Sequence, residues 1–301
     1  VTGSRTRLAL VAVTVLALGT FAVRHLTRVR AAGLPGSVRI VTADIERFWD
    51  VYDRATQETL AELLERDYLA AGTEALRDFV PMRILSADAL ARKILDEPER
   101  YERIREGSLS LQNMEREIRE PFLRLEELYP PAVHPDVYFV IGRFNSGGTV
   151  SRRGILVGAE MVADDPDAVP GLIAHELVHF QQVDIPRGRF SLLAQAIREG
   201  SADFVGELIS GGGLDEETYG YGFEHEAELW REFQKDMFDD EVGGWLYGGQ
   251  PEGRPADLGY FIGYRIAQAF YERSDDRSRA IREVLTVRDY ERFLERSGYR
   301  P

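Results

Sequence analysis

Residues 174–182 read Ala174-His175-Glu176-Leu177-Val178-His179-Phe180-Gln181-Gln182, and the spacing of the two histidines decides how the C-terminal half folds. Positions four apart share one face of an α-helix, so both imidazoles can converge on one ion. Glu176, one residue on from the first histidine, reaches a water held by that ion without ligating it. The alanine, leucine, valine and phenylalanine around the histidines mark a buried helix. A buried polar trio needs partners, and a metal supplies one. The bland alternative is a pair of satisfied core histidines.

The next helical stretch strengthens the metal reading. Zinc in a catalytic site takes three protein ligands and keeps a fourth position open. Glu199-Gly200-Ser201-Ala202-Asp203 begins twenty residues after His179 on a separate expected helix. Glu199 is the candidate third ligand. Asp203, one turn further on the same face, is placed to accept a hydrogen bond from a ligating imidazole and set its tautomer. Gly200 and Ala202 are small enough to let another helix approach closely. Two imidazoles, one carboxylate and an open position suit Zn2+ best. The expected chemistry is hydrolysis by a zinc-activated water, with Glu176 as general base. Such a reaction also needs an oxyanion stabiliser. Tyr264, one helical turn from Tyr260 and beside Arg265, and His225, within Glu224-His225-Glu226, are the further catalytic candidates. His134, just before Pro135, reads as a strand-end residue.

Outward from this centre, the pattern is α+β: helices, then a small sheet, then helices. Thr42 is placed to cap a helix with Asp44 and Glu46 in its first turn. Ile45, Phe48, Trp49, Tyr52, Leu60, Leu63 and Leu64 continue one apolar face at helical period, with Gly72 and Pro81 closing the unit. Ser86 caps a second helix through Ile94. Helical pattern returns over 100–106 and 109–129, with a break or kink expected at Pro121 and a stop at Pro130-Pro131. Val137-Tyr138-Phe139-Val140-Ile141 and Gly154-Ile155-Leu156-Val157-Gly158 read as strands, joined by the turn residues Asn145-Ser146-Gly147-Gly148-Thr149. Helices are expected over 166–182 and 190–210, the latter ended by Gly211-Gly212-Gly213. A Gly-rich loop spans 243–253. Three regions follow: 1–33 as signal peptide or anchor, 36–130 as a helical N-terminal half, and 131–301 as the catalytic region, with 36–301 able to form one compact domain.

Charge and composition bound the partners. The 301-residue chain has a net charge of −14 and no cysteine. An acidic excess argues against a nucleic-acid partner, which needs a basic face. Absence of cysteine leaves no disulfide to brace an exported domain. Residues 1–30 carry five arginines and no carboxylate, around an uncharged run at 8–23. A basic start, an apolar run and Ala31-Ala32-Gly33 describe an export signal or a single membrane anchor. The expected location is therefore periplasmic or otherwise extracytoplasmic, with membrane contact through residues 8–23 if they are retained.

The His-Glu-x-x-His motif followed by Glu199-x-x-x-Asp203 resembles the thermolysin-like gluzincins. The fuller wording of residues 174–182 and Glu199-Gly200-Ser201-Ala202-Asp203-Phe204 resembles exported zinc-dependent proteases related to the gliding-motility lipoprotein B. Thr42-Ala43-Asp44-Ile45-Glu46-Arg47-Phe48-Trp49 and Gly259-Tyr260-Phe261-Ile262-Gly263-Tyr264 are similar to that group as well, and the likeness spans most of 38–300. It implies a mainly helical zincin-like metalloprotease fold and a peptide or protein substrate. The chain departs from the lipoprotein members in having no cysteine to carry a lipid. The rival from another class is a catalytically silent zincin-like scaffold or surface-assembly protein with a structural zinc. A zinc hydrolase acting on a non-peptide amide is a third reading.

Overall fold

The computed structural model describes residues 34–182, 190–248 and 253–301. The segment 1–33, with the signal or anchor expected there, lies outside the described residues. No described helix is long and apolar enough to cross a membrane.

The chain runs β1 (Ile40–Val41), α1 (Ala43–Arg54), α2 (Leu60–Leu63), α3 (Glu74–Phe79), α4 (Ala87–Asp96), α5 (Pro98–Ser110) and α6 (Glu115–Leu128). Then come β2 (Asp136–Val140), β3 (Gly148–Val150), β4 (Gly154–Gly158) and α7 (Ala159–Val162). The chain continues with α8 (Val169–Gln181), α9 (Leu192–Ser210), α10 (Glu216–Asp236), α11 (Leu258–Glu272), α12 (Arg277–Leu285) and α13 (Tyr290–Ser297). It is mostly helical with one small mixed sheet, an α+β protein.

Several local expectations change. The apolar face from Ile45 to Leu64 is not one helix: α1 stops at Arg54, and Ala55 turns extended. There the Thr59 hydroxyl accepts from the Thr56 amide at 2.9 Å, a local side-chain bond that competes with helical pairing. Pro81 does not close a unit; it lies in a π-helical turn, Val80–Ile84, that extends α3. Pro121 neither breaks nor ends α6, because Ile118, Phe122 and Leu125 are buried on both sides of it. That burial outweighs the lost backbone bond, a cost of about 3 kcal/mol. Ser86 caps α4 as expected, accepting from the Ala89 amide at 3.1 Å.

The four strands lie in the order β1-β2-β4-β3. β2 is parallel to both β1 and β4. β3 is antiparallel to β4 and forms an edge within the stretch expected to be a turn. Every residue of β4 is buried, whereas β3 is half-buried. The N-terminal helices are tied to the end of β2. Tyr68 closes a two-way bond with Ile141, donating to its carbonyl at 2.7 Å and accepting from its amide at 2.8 Å. The Tyr101 hydroxyl donates to the Gly142 carbonyl at 2.8 Å. The hydrophobic core runs without a break through Phe48, Tyr101, Phe122, Phe139, Ile173 and Phe261.

In the C-terminal half, α9 is the central helix. It is capped by Ser191, which accepts from the Ala194 amide at 3.2 Å, and it ends at Gly211 in the left-handed region, φ 79°. Its two glycines face different neighbours. A Cβ on Gly206 would lie 3.3 Å from the backbone nitrogen of His175 on α8. A Cβ on Gly200 would lie 2.0 Å from the backbone nitrogen of Tyr264 on α11. Opposite it, a Cβ on Gly263 would lie 1.7 Å from the carbonyl oxygen of Ala196. The backbones of α9 and α11 are thus in direct contact, which only glycine allows. This crossing fixes where Glu199 stands relative to α8.

Candidate metal centre

α8 and α9 bring together the three side chains that the sequence singled out as ligands. One donor atom each from His175, His179 and Glu199 lies within 4.8 Å of the others, a set that could hold a metal ion. His179 Nε2 stands 2.9 Å from His175 Nε2 and 3.0 Å from Glu199 Oε2. His175 Nε2 is 3.6 Å from the same carboxylate oxygen.

The outer nitrogens of both rings are engaged. His175 Nδ1 lies 2.7 Å from Asp203 Oδ1, and the other oxygen of Asp203 accepts from Tyr219 at 2.5 Å. His179 Nδ1 lies 2.8 Å from Gln182 Oε1. The Gln182 amide is oriented by donating to the Arg198 carbonyl at 2.8 Å. A carboxylate and a carbonyl oxygen only accept, so both Nδ1 atoms carry the proton. Both Nε2 atoms then present lone pairs towards each other and towards Glu199. In these tautomers three lone-pair donors face one point, an arrangement that a cation completes.

The same surroundings also draw a proton, which a cation would have to displace. Burial disfavours a charged His175, but the hydrogen bonds to Asp203 and Glu199 outweigh it and raise its pKa well above the ordinary value. Burial likewise works against an ionised Glu199, and the two histidines overcome it, holding its pKa well below the usual carboxylate range. Glu176 differs: burial dominates and raises its pKa, with the histidines opposing. Edge strand β3 passes directly over Glu176, since a Cβ on Gly148 would lie 2.7 Å from both Cγ and Oε1 of that side chain. Half-buried Arg83, on the π-helical turn after α3, adds positive potential at Glu176.

Tyr264 and His225 are not brought to this cluster. The Tyr264 hydroxyl donates to Glu207 at 2.6 Å, and its ring packs edge-on against Tyr219 at 5.2 Å. His225 lies at a kink within α10, stacked on Tyr221 at 4.2 Å and facing Glu228. Tyr260 is nearer, its ring stacked over His175 at 6.3 Å. The His134 side chain is covered beside Glu126, with Nε2 2.5 Å from that carboxylate. Sequence reasoning missed Tyr247, whose hydroxyl lies 2.6 Å from Gln195 Oε1 and 3.2 Å from Glu199 Oε1. Its only signal was an aromatic residue among glycines. Gln182 stood in the quoted motif without a role.

An α+β protein with a His-His-Glu cluster on two adjoining helices, buried at Glu199 and half-buried at the histidines, has the donor set of a zinc site. Residues 140–293 match the family described as "Predicted Zn-dependent protease (DUF2268)", about half of the chain, and the protein belongs to that family. No curated protein and no solved structure matches it.

Proposed function

We propose that the protein is a zinc metallopeptidase of the gluzincin type, with a zincin-like core in which His175, His179 and Glu199 hold the ion. The observation that carries the reading is the convergence of three lone-pair donors whose outer hydrogen bonds are already made. When bound, zinc supplies Lewis acidity towards water and towards the scissile carbonyl. Asp203 and Gln182 hold the two imidazoles in the tautomer that leaves Nε2 free. Glu176 accepts the proton of the attacking water and returns it to the leaving amine. Its burial supports this role, because a carboxyl away from bulk water has the basicity a proton shuttle needs. β3 forms the wall beside Glu176 along which a peptide carbonyl approaches. A purely structural site has no use for a buried carboxylate at position 176, which favours the enzyme over a silent scaffold.

The basic and apolar residues 1–33, together with the likeness to exported proteases related to gliding-motility lipoprotein B, support an extracytoplasmic location. Substrates in this reading are peptides or proteins. The direct test is Glu176→Gln assayed against a peptide library beside the unaltered chain. We expect zinc binding to persist and cleavage to fall at least a hundredfold, the lower end of the general-base range of about 10²–10⁴. Equal cleavage by both chains would remove Glu176 as the base, and no cleavage by either would favour the scaffold or a non-peptide amide.

A further inference from the structure

We propose that Tyr247 is a positioning residue for Glu199, holding one carboxylate oxygen so that the other alone faces the histidines. This rests on the zinc-site reading above. Tyr247 lies in the Gly-rich connection between α10 and α11, far in sequence from every residue of the cluster. Its backbone is in the left-handed region, φ 60°, between Gly244 at φ 92° and Gly248 at φ 83°. A bulky residue rarely adopts that conformation and keeps it only where its surroundings hold it there. Two things hold Tyr247. The Gly248 amide donates to Asp257 Oδ1 at 2.7 Å, closing the connection onto the start of α11. The tyrosine ring packs edge-on against Tyr260 at 6.4 Å, and its hydroxyl reaches Gln195 and Glu199.

Those two residues lie one turn apart on α9, so a single hydroxyl spans them. The phenol has one proton and faces two acceptor oxygens, Gln195 Oε1 at 2.6 Å and Glu199 Oε1 at 3.2 Å. The conflict disappears when the Gln195 amide turns its NH2 towards the tyrosine oxygen, which frees the phenolic proton for the carboxylate. Either way, Oε1 is the oxygen on the tyrosine side, and Oε2 is the one 3.0 Å from His179 and 3.6 Å from His175. A carboxylate with both oxygens free tends to swing onto a cation through both. Holding Oε1 keeps Glu199 a one-oxygen donor and preserves the position that water needs.

Tyr247→Phe removes the hydroxyl and keeps the ring. In the full chain we would measure zinc affinity by chelator competition, and the visible absorption of the cobalt(II)-substituted protein, which reports coordination number independently of activity. Tyr299→Phe is the control, since that hydroxyl donates to Glu226 at 2.9 Å, away from the cluster. Circular dichroism at the working temperature would establish that all three proteins are folded. The expected result is a loss of zinc affinity of about 10- to 100-fold and weaker, shifted cobalt bands in Tyr247→Phe, with Tyr299→Phe unchanged. If the unaltered chain binds one zinc and Tyr247→Phe matches it in affinity and spectrum, the role of Tyr247 is overturned while the zinc site stands. An unaltered chain that takes up no zinc overturns the underlying site itself.

Discussion

The two halves of the protein hold their elements in different ways. Around the cluster, helices meet backbone to backbone: Gly200 and Gly263 at the α9–α11 crossing, Gly206 against α8. Of the 19 residues of α9, 14 are buried, so it has almost no solvent face. In the N-terminal half, α5 buries only Tyr101, Ile104 and Ser108 of its 13 residues, and it acts through side chains that reach across. Tyr68 and Tyr101 hold the end of β2 by hydrogen bonds. Arg143 and Asn145, in the loop that follows, donate to the Arg83 carbonyl at 3.1 and 3.0 Å. Steric contact sets the ligand helices and, at the α9–α11 crossing, tolerates no added atom. Hydrogen bonding sets the loop that leads to β3 and Glu176, and it responds to protonation.

The harshest way to break the steric half is Gly263→Ala, because the new methyl group would overlap the Ala196 carbonyl. We expect a loss of stability of about 3 kcal/mol or more, read as a lower thermal midpoint, with zinc uptake reduced because α9 must move. A variant with native midpoint and native zinc content would show that the crossing is not rigid.

The hydrogen-bonded half is tested at Glu160, a fully buried carboxyl on α7. It accepts from the Phe144 amide at 3.3 Å in the same loop, while its Oε2 has no partner. Burial pushes its pKa up to about 7, against an ordinary value of 4.5. The neutral form is therefore favoured by folding, and its contribution is fully present below pH 4.5 and lost as pH rises through 7. The difference amounts to roughly 3 kcal/mol between acid and alkaline limits. Glu160→Gln should remove this slope, matching the native protein near pH 4.5 and exceeding its stability above pH 7. Parallel denaturation profiles across that window would contradict the assignment.

Much of the site was legible because it rests on helical spacing. His175 and His179 are held at i and i+4 by one helix, and Asp203 meets His175 because it lies one turn beyond Glu199. What escaped was set by tertiary packing. Gly147 and Gly148 carry turn chemistry, yet Gly148 pairs with Val157 because β4 offers it an open edge. The apolar period from Ile45 to Leu64 continues across a break made by two threonine hydroxyls, which periodicity does not register. Tyr264 and His225 had suitable chemistry but point to Glu207 and Tyr221. Tyr247 reaches Glu199 only because its connection folds back over α9, and no local pattern encodes that.

The most direct measurement is metal content by plasma mass spectrometry on the freshly purified full chain, with His179→Ala in parallel. The zinc-site account predicts one zinc per chain, lost in the variant. A chain that carries no metal and takes up none when zinc is added would contradict it.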